Sequence, residues 1–266
     1  MTRTIILHYH LFKNAGTSLD LILKRNFGPR WVTVEFEGEG VGNTAAVADW
    51  IRANPQAVAF SSHTAQGPVP QIDGVRIISV MFLRDPLDRI RSAYQFERYQ
   101  GVETWGAKLA ASTDFAGYVS ARLARPGDRQ CRNFQTGRMA MLVPPSPAGG
   151  QNGPEPELGR ALRALATLSF VGLVEEFDRS VARLARLIQV EYPGFRWTSV
   201  RANSTEPAVS GADAHSGIGD ALAAALQALQ AANRDDQALL ERAHALYGAQ
   251  ISPVQRGLAE QQLNGS

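Results

Sequence analysis

The sequence predicts an α/β fold, a parallel central sheet flanked by helices with a helical insertion. Three observations carry this. A strand–turn–helix pattern occurs twice, around Lys13 and around Arg84. Residues 75–83, VRIISVMFL, are nearly all apolar, which suits a central parallel strand covered on both faces. Strand and helix patterns alternate along the first half of the chain, as crossover connections require.

Taken in order, residues 4–12 form an apolar, β-branched run that reads as a first strand. Residues 13–16 are a short polar turn. A helix follows from about Thr17, because Leu19, Ile22, Leu23 and Phe27 recur at helical spacing, and Gly28 and Pro29 stop it. Residues 31–36 alternate as a strand, 37–43 are a Gly-rich loop, 44–53 a helix and 57–61 a short strand. The next loop holds His63 and a Gly67-Pro68 turn signal. After the strand at 75–83, Asp85 and Pro86 open a helix as N-cap and first helical residue. Residues 104–139 read as the helical insertion. Residues 143–157, VPPSPAGGQNGPEPE, are Pro/Gly-rich and read as a mobile loop or lid. A strand at 168–174 and an amphipathic helix at 176–190 follow. Residues 201–216 are loop-like, and Ala-rich helices at 221–231 and 235–247 join near Asn233. No internal repeat is present, and residues 1–266 read as one domain.

Composition narrows the functional classes. Hydrophobic residues make up 44% and charged residues 20%, so a packed core is within reach and global disorder is excluded. A formal charge of +2 argues against a nucleic-acid binder, which needs a dense basic face. The single cysteine, Cys131, rules out a disulfide within the chain. No stretch reaches the roughly 20 apolar residues of a membrane helix, and the first residues are too interrupted for a signal peptide. A cytoplasmic protein is the expectation.

Two segments carry chemistry. Lys13-Asn14-Ala15-Gly16-Thr17-Ser18 lies between strand and helix. A helix N-terminus presents free N–H groups to an anion, Gly16 permits close backbone approach, Thr17 and Ser18 add hydroxyls and Lys13 a mobile charge. The order differs from the nucleoside-triphosphate P-loop, where Lys follows the second Gly; here Lys13 precedes Gly16. The second segment runs from Arg84 to Tyr94. Arg84 ends the strongest strand, and Ser92 follows Asp85 by two helical turns, so both can serve one anion. Alone, a βα turn or a helix-face Ser is unremarkable; together the two segments say more.

Together they resemble the superfamily of sulfotransferases that use 3′-phosphoadenosine 5′-phosphosulfate (PAPS), in its carbohydrate branch of glycan O-sulfotransferases. HLFKNAGTSL is similar to the 5′-phosphosulfate loop, and FLRDPLDRIRSAY to the 3′-phosphate site. Looser blocks are Asn133-Phe134-Gln135-Thr136 and the run from Phe170 to Glu175. The resemblance spans about residues 5–205. It implies a sheet of P-loop-like topology and in-line sulfuryl transfer to a hydroxyl, of a carbohydrate or another small metabolite, with no metal. It assigns Lys13 to the bridging oxygen, and Asn14, Ala15, Gly16, Thr17 and Ser18 to the 5′-phosphate. It assigns Arg84 and Ser92 to the 3′-phosphate and Arg201 to a loop that closes over the nucleotide. His63 resembles the catalytic His between the two phosphate motifs, a general base. Phe12 stands where the family often has Pro.

His8 and His10 share one strand face, but no third ligand is indicated, so one packed His and one near the pocket is the expectation. Arg98, Arg132 and Arg138 could meet an anionic acceptor or be solvated helix faces. The C-terminal helices read as core packing or a homodimer face. Two rival functions remain open: a kinase, because Asp85 ends a Walker-B-like strand, and a nucleotide-binding module without catalysis.

Overall fold

The computed structural model describes residues 2–37, 42–145, 155–198 and 216–247. Five strands, β1 (Arg3–Tyr9), β2 (Trp31–Thr33), β3 (Ala59–Ser62), β4 (Val75–Leu83) and β5 (Phe170–Leu173), form one parallel sheet in the order β2-β3-β1-β4-β5. The α/β expectation and the parallel sheet are therefore met.

Alternation on the strands divides the core. Ile5, Leu7 and Tyr9 of β1, with Met81 and Leu83 of β4, face one layer. There they meet α2 (Thr44–Ala53), α6 (Phe134–Ala140), α7 (Glu157–Thr167) and α10 (Arg234–Tyr247). Ile6, with Ile78, Val80 and Phe82, faces the other layer, made by α1 (Gly16–Phe27) and α8 (Phe177–Ile188). The continuous apolarity of β4 thus has its physical cause: both faces are covered. A smaller helical cluster joins α3 (Pro86–Tyr99), α4 (Trp105–Ser112), α5 (Phe115–Ala124) and α9 (Ser216–Ala232) around Ile90, Ala110, Tyr118, Val119 and Leu229. Helices α4, α5 and α6 lie in the 104–139 stretch expected to be helical, but α6 packs against the sheet rather than into this cluster.

The boundaries differ in instructive ways. β1 ends at Tyr9 rather than at residue 12, because the chain leaves the sheet to wrap the following turn. Helix α7 was not expected. Its Ala161, Ala164 and Leu165 are buried, but the Pro/Gly-rich run before it masks the pattern. The middle of that run, like Arg201, lies outside the described residues. Among the described residues no helix is long and apolar enough to cross a membrane.

The strand order sets the place of any site. β1 leads through α1 toward β2 on one side, whereas the chain beyond β4 leads toward β5 on the other. The switch point therefore falls between the carboxyl ends of β1 and β4, the position where ligands of open parallel sheets bind.

Candidate functional site

Three loops leave the carboxyl ends of the neighbouring strands β3, β1 and β4. They carry His63, Lys13 and Arg84 respectively. The sheet thus brings together residues that stand up to 71 positions apart in the chain.

The β1 loop is tightly wound. Lys13 and Ala15 adopt positive φ, 62° and 57°, which costs a non-glycine residue about 1–2 kcal/mol. Surrounding contacts hold it there. The Asn14 side chain is buried and donates to Phe82 O at 2.8 Å and to Gln135 Oε1 at 2.6 Å. Arg84 Nη1 donates to Lys13 O at 3.1 Å. Gln135 also accepts from Arg84 N (2.9 Å) and donates to Arg84 O (2.7 Å), so one amide clamps both anion-binding candidates. Asn14 therefore serves the loop's shape with its side chain. Gln135 lay in a block noted from the sequence, but its clamping role needed the fold.

Helix α1 starts at Gly16 with no side-chain cap and no acidic residue in its first turn. Thr17 is exposed there and Ser18 buried. Such a terminus favours an anion. Lys13 Nζ lies 4.5 Å from the Phe96 ring centroid. Burial, and then the charge of Arg84, hold the Lys13 ammonium below the usual lysine range. An anion bound beside them would offset both effects on the ammonium. Ser92 is half-buried on α3. Asp85 caps that helix, accepting from Leu87 N (2.9 Å) and Asp88 N (3.0 Å).

His63 is half-exposed, and its partner is a residue the sequence did not indicate. Glu35 Oε1 lies 2.7 Å from His63 Nδ1. The same carboxylate accepts from Thr64 N (3.0 Å) and Thr64 Oγ1 (2.9 Å), and from His63 N. Burial raises the Glu35 carboxyl, but these donors outweigh it and keep the group ionised below its ordinary range. An ionised carboxylate on Nδ1 selects the tautomer that leaves Nε2 free to accept a proton. Arg138 braces the loop from α6, donating to His63 O (2.7 Å) and Gln66 Oε1 (2.7 Å). Arg98 likewise donates to Ala110 O and Thr113 O, and Arg132 to Leu123 O. All three thus hold backbone carbonyls.

His8 and His10 are both buried, because their side of β1 faces α1. Asp20 of α1 meets them: Oδ1 is 2.9 Å from His8 Nδ1, and Oδ2 is 2.9 Å from His10 Nδ1. These three residues offer ligand atoms within 4.8 Å of one another and are the described group that could hold a cation. As they stand, each imidazole engages its own carboxylate oxygen at hydrogen-bond length. Burial raises the Asp20 carboxyl; the charge of His8 and both hydrogen bonds outweigh it and hold the group well below the carboxylate range. The third partner that the sequence did not indicate is thus a helix residue across the layer. Buried polar side chains need such partners, which is the signal that could have found it.

Gly16 is placed by contact rather than by its dihedrals. A Cβ there would stand 2.0 Å from His10 Cδ2. Gly16→Ala must displace a buried ring, so a loss of about 1–3 kcal/mol is expected, and thermal denaturation measures it. An unchanged melting temperature would mean that the ring yields freely.

Fold and site together define a class: a parallel α/β protein whose strand-end loops join Arg84 to the Lys13 carbonyl and carry a carboxylate-bound histidine, His63. No family model matches the chain. An Archaeoglobus fulgidus protein described as an uncharacterized protein is 40% identical over 209 residues, 76% of this chain and 80% of its own length. This chain belongs to the same family as that archaeal protein.

Proposed function

We propose that this protein is a sulfotransferase that moves a sulfuryl group from PAPS to an acceptor hydroxyl, of a carbohydrate or another small metabolite. The observation that carries the reading is the meeting of three loops on adjacent strands. They set Lys13 and Arg84 in direct contact and place His63, paired with Glu35, on the neighbouring strand end. In this reading the 5′-phosphate rests on the N-terminus of α1, at Ala15, Gly16, Thr17 and Ser18. Arg84 and Ser92 take the 3′-phosphate, and Arg201 comes from outside the described residues. The acceptor oxygen attacks sulfur and gives its proton to His63 Nε2. The bond from sulfur to the bridging oxygen breaks, and Lys13 stabilises the charge that develops on that oxygen. The products are a sulfate ester and 3′-phosphoadenosine 5′-phosphate, and no step calls for a metal. Cytoplasmic placement and a homodimer belong to the same reading.

The rivals fare less well. A kinase would use Asp85 for its metal, yet the Asp85 side chain caps α3. A module without catalysis would have no use for a base locked in one tautomer.

The test is nucleotide choice. Calorimetry should find 3′-phosphoadenosine 5′-phosphate bound far more tightly than 5′-AMP, and Arg84→Ala should erase most of that preference. A charge-assisted bond contributes about 1.5–3 kcal/mol, roughly 10–100-fold in affinity. Equal binding of the two nucleotides by the parent protein would refute the site.

A further inference from the structure

The sulfotransferase reading leaves a buried cluster without a task. Asp20 holds His10 through Nδ1 at 2.9 Å, and the His10 ring touches two parts of the site at once. Its centroid lies 3.7 Å from that of His63, with the planes 31° apart. Its Cδ2 and Nε2 crowd the Cα of Gly16, where an added Cβ would stand 2.0 and 2.2 Å away. The ring therefore abuts both the base and the first residue of α1. Asp20 itself is anchored a second time by His8, whose Nδ1 also lies 3.3 Å from Ser61 Oγ on β3. The chain of contacts runs from β3 through β1 to α1 and returns to the loop after β3.

We infer that His10, held by Asp20, is a positioning residue: its ring sets the spacing between the His63 base and the anion-binding start of α1. The inference rests on the sulfotransferase reading and adds a role that the reading does not contain. Without the ring, His63 would keep its Glu35 bond but lose the tilted ring face it packs against. A bond to one atom leaves an imidazole free to swing about it; a ring packed against its face removes that freedom. Small displacements of a base cost rate steeply, because proton transfer needs hydrogen-bond reach in the reacting complex.

Burial, partly offset by the hydrogen bond and charge of Asp20, holds His10 below the ordinary histidine range. His10 is thus a neutral surface for His63 when the latter takes up a proton. The charged groups around His63 are Glu35 after β2 and Arg138 of α6, with Asp20 of α1 acting through His10.

Two variants separate positioning from mere support. His10→Asn retains a donor for Asp20 but removes the ring, whereas His10→Phe keeps a ring and loses the donor. We expect kcat to fall about tenfold or more in His10→Asn, with the affinity for 3′-phosphoadenosine 5′-phosphate within about twofold of the parent. His10→Phe should recover a large part of the lost kcat. The ring protons of His63, which lie against the His10 ring in the parent, should shift in the NMR spectrum of His10→Asn and less in His10→Phe. Parental kcat in His10→Asn, or a His10→Phe no better than His10→Asn, overturns the positioning role. A parent that binds no bisphosphate and releases none from PAPS overturns the sulfotransferase reading instead, and with it this role; the NMR comparison still reports the ring contact.

Discussion

Lys13→Ala is expected to lower kcat by about 10²–10³ or more, the cost of removing one donor aimed at developing transition-state charge. Lys13 is the one cation in the loop after β1, and Arg84 reaches that loop through the Lys13 carbonyl, leaving the ammonium on its flexible stem. The ammonium rests over the Phe96 ring, part-desolvated and under the charge of Arg84. Both influences favour its neutral form. A bound phosphate reverses them, so anion binding should draw a proton onto Lys13 at alkaline pH. The bridging oxygen gains charge only as the S–O bond breaks, so kcat should suffer more than affinity for the bisphosphate product. Single-turnover kinetics with PAPS and calorimetry with the product measure the two. A variant with near-normal kcat would sink the assignment.

On the sulfotransferase reading, His63→Ala should lower kcat by about 10²–10⁴ and leave bisphosphate affinity nearly unchanged, because a general base meets the acceptor and not the nucleotide. The sign of the pH dependence follows from the pair. Glu35 stays ionised below its ordinary range, so it goes on orienting Nδ1 as pH falls. Nε2 loses its lone pair when the imidazole is protonated, and the parent's rate should fall on the acid side. His63→Ala should lose that limb. If the variant keeps both rate and limb, another group is the base. His8 and His10 are poor substitutes, since both are buried and bound to Asp20. Glu35, half-exposed beside the vacated ring, would be the next to test.

Much of this protein is written locally. The apolar run at 75–83 is one interior strand, buried from Ile78 to Leu83, because a strand covered on both faces leaves little room for polar positions. Asp85-Pro86 opens α3 as expected, because a cap and a first-turn proline act within a few residues. Lys13, Gly16, Arg84 and His63 stood out for similar reasons: each follows a strand, and each belongs to a short pattern with local chemistry. The partners of these residues were not legible. Glu35 lies 28 residues from His63, Asp20 lies on the helix across from His8 and His10, and Gln135 stands 121 residues from Asn14. No periodicity encodes such pairings. They follow from the order β2-β3-β1-β4-β5, which packs three loops side by side. The sequence by itself determined which residues could do chemistry; only the tertiary structure decided what each is bound to. Burial demands partners for polar groups without naming them, and the fold alone chooses which ones come within reach.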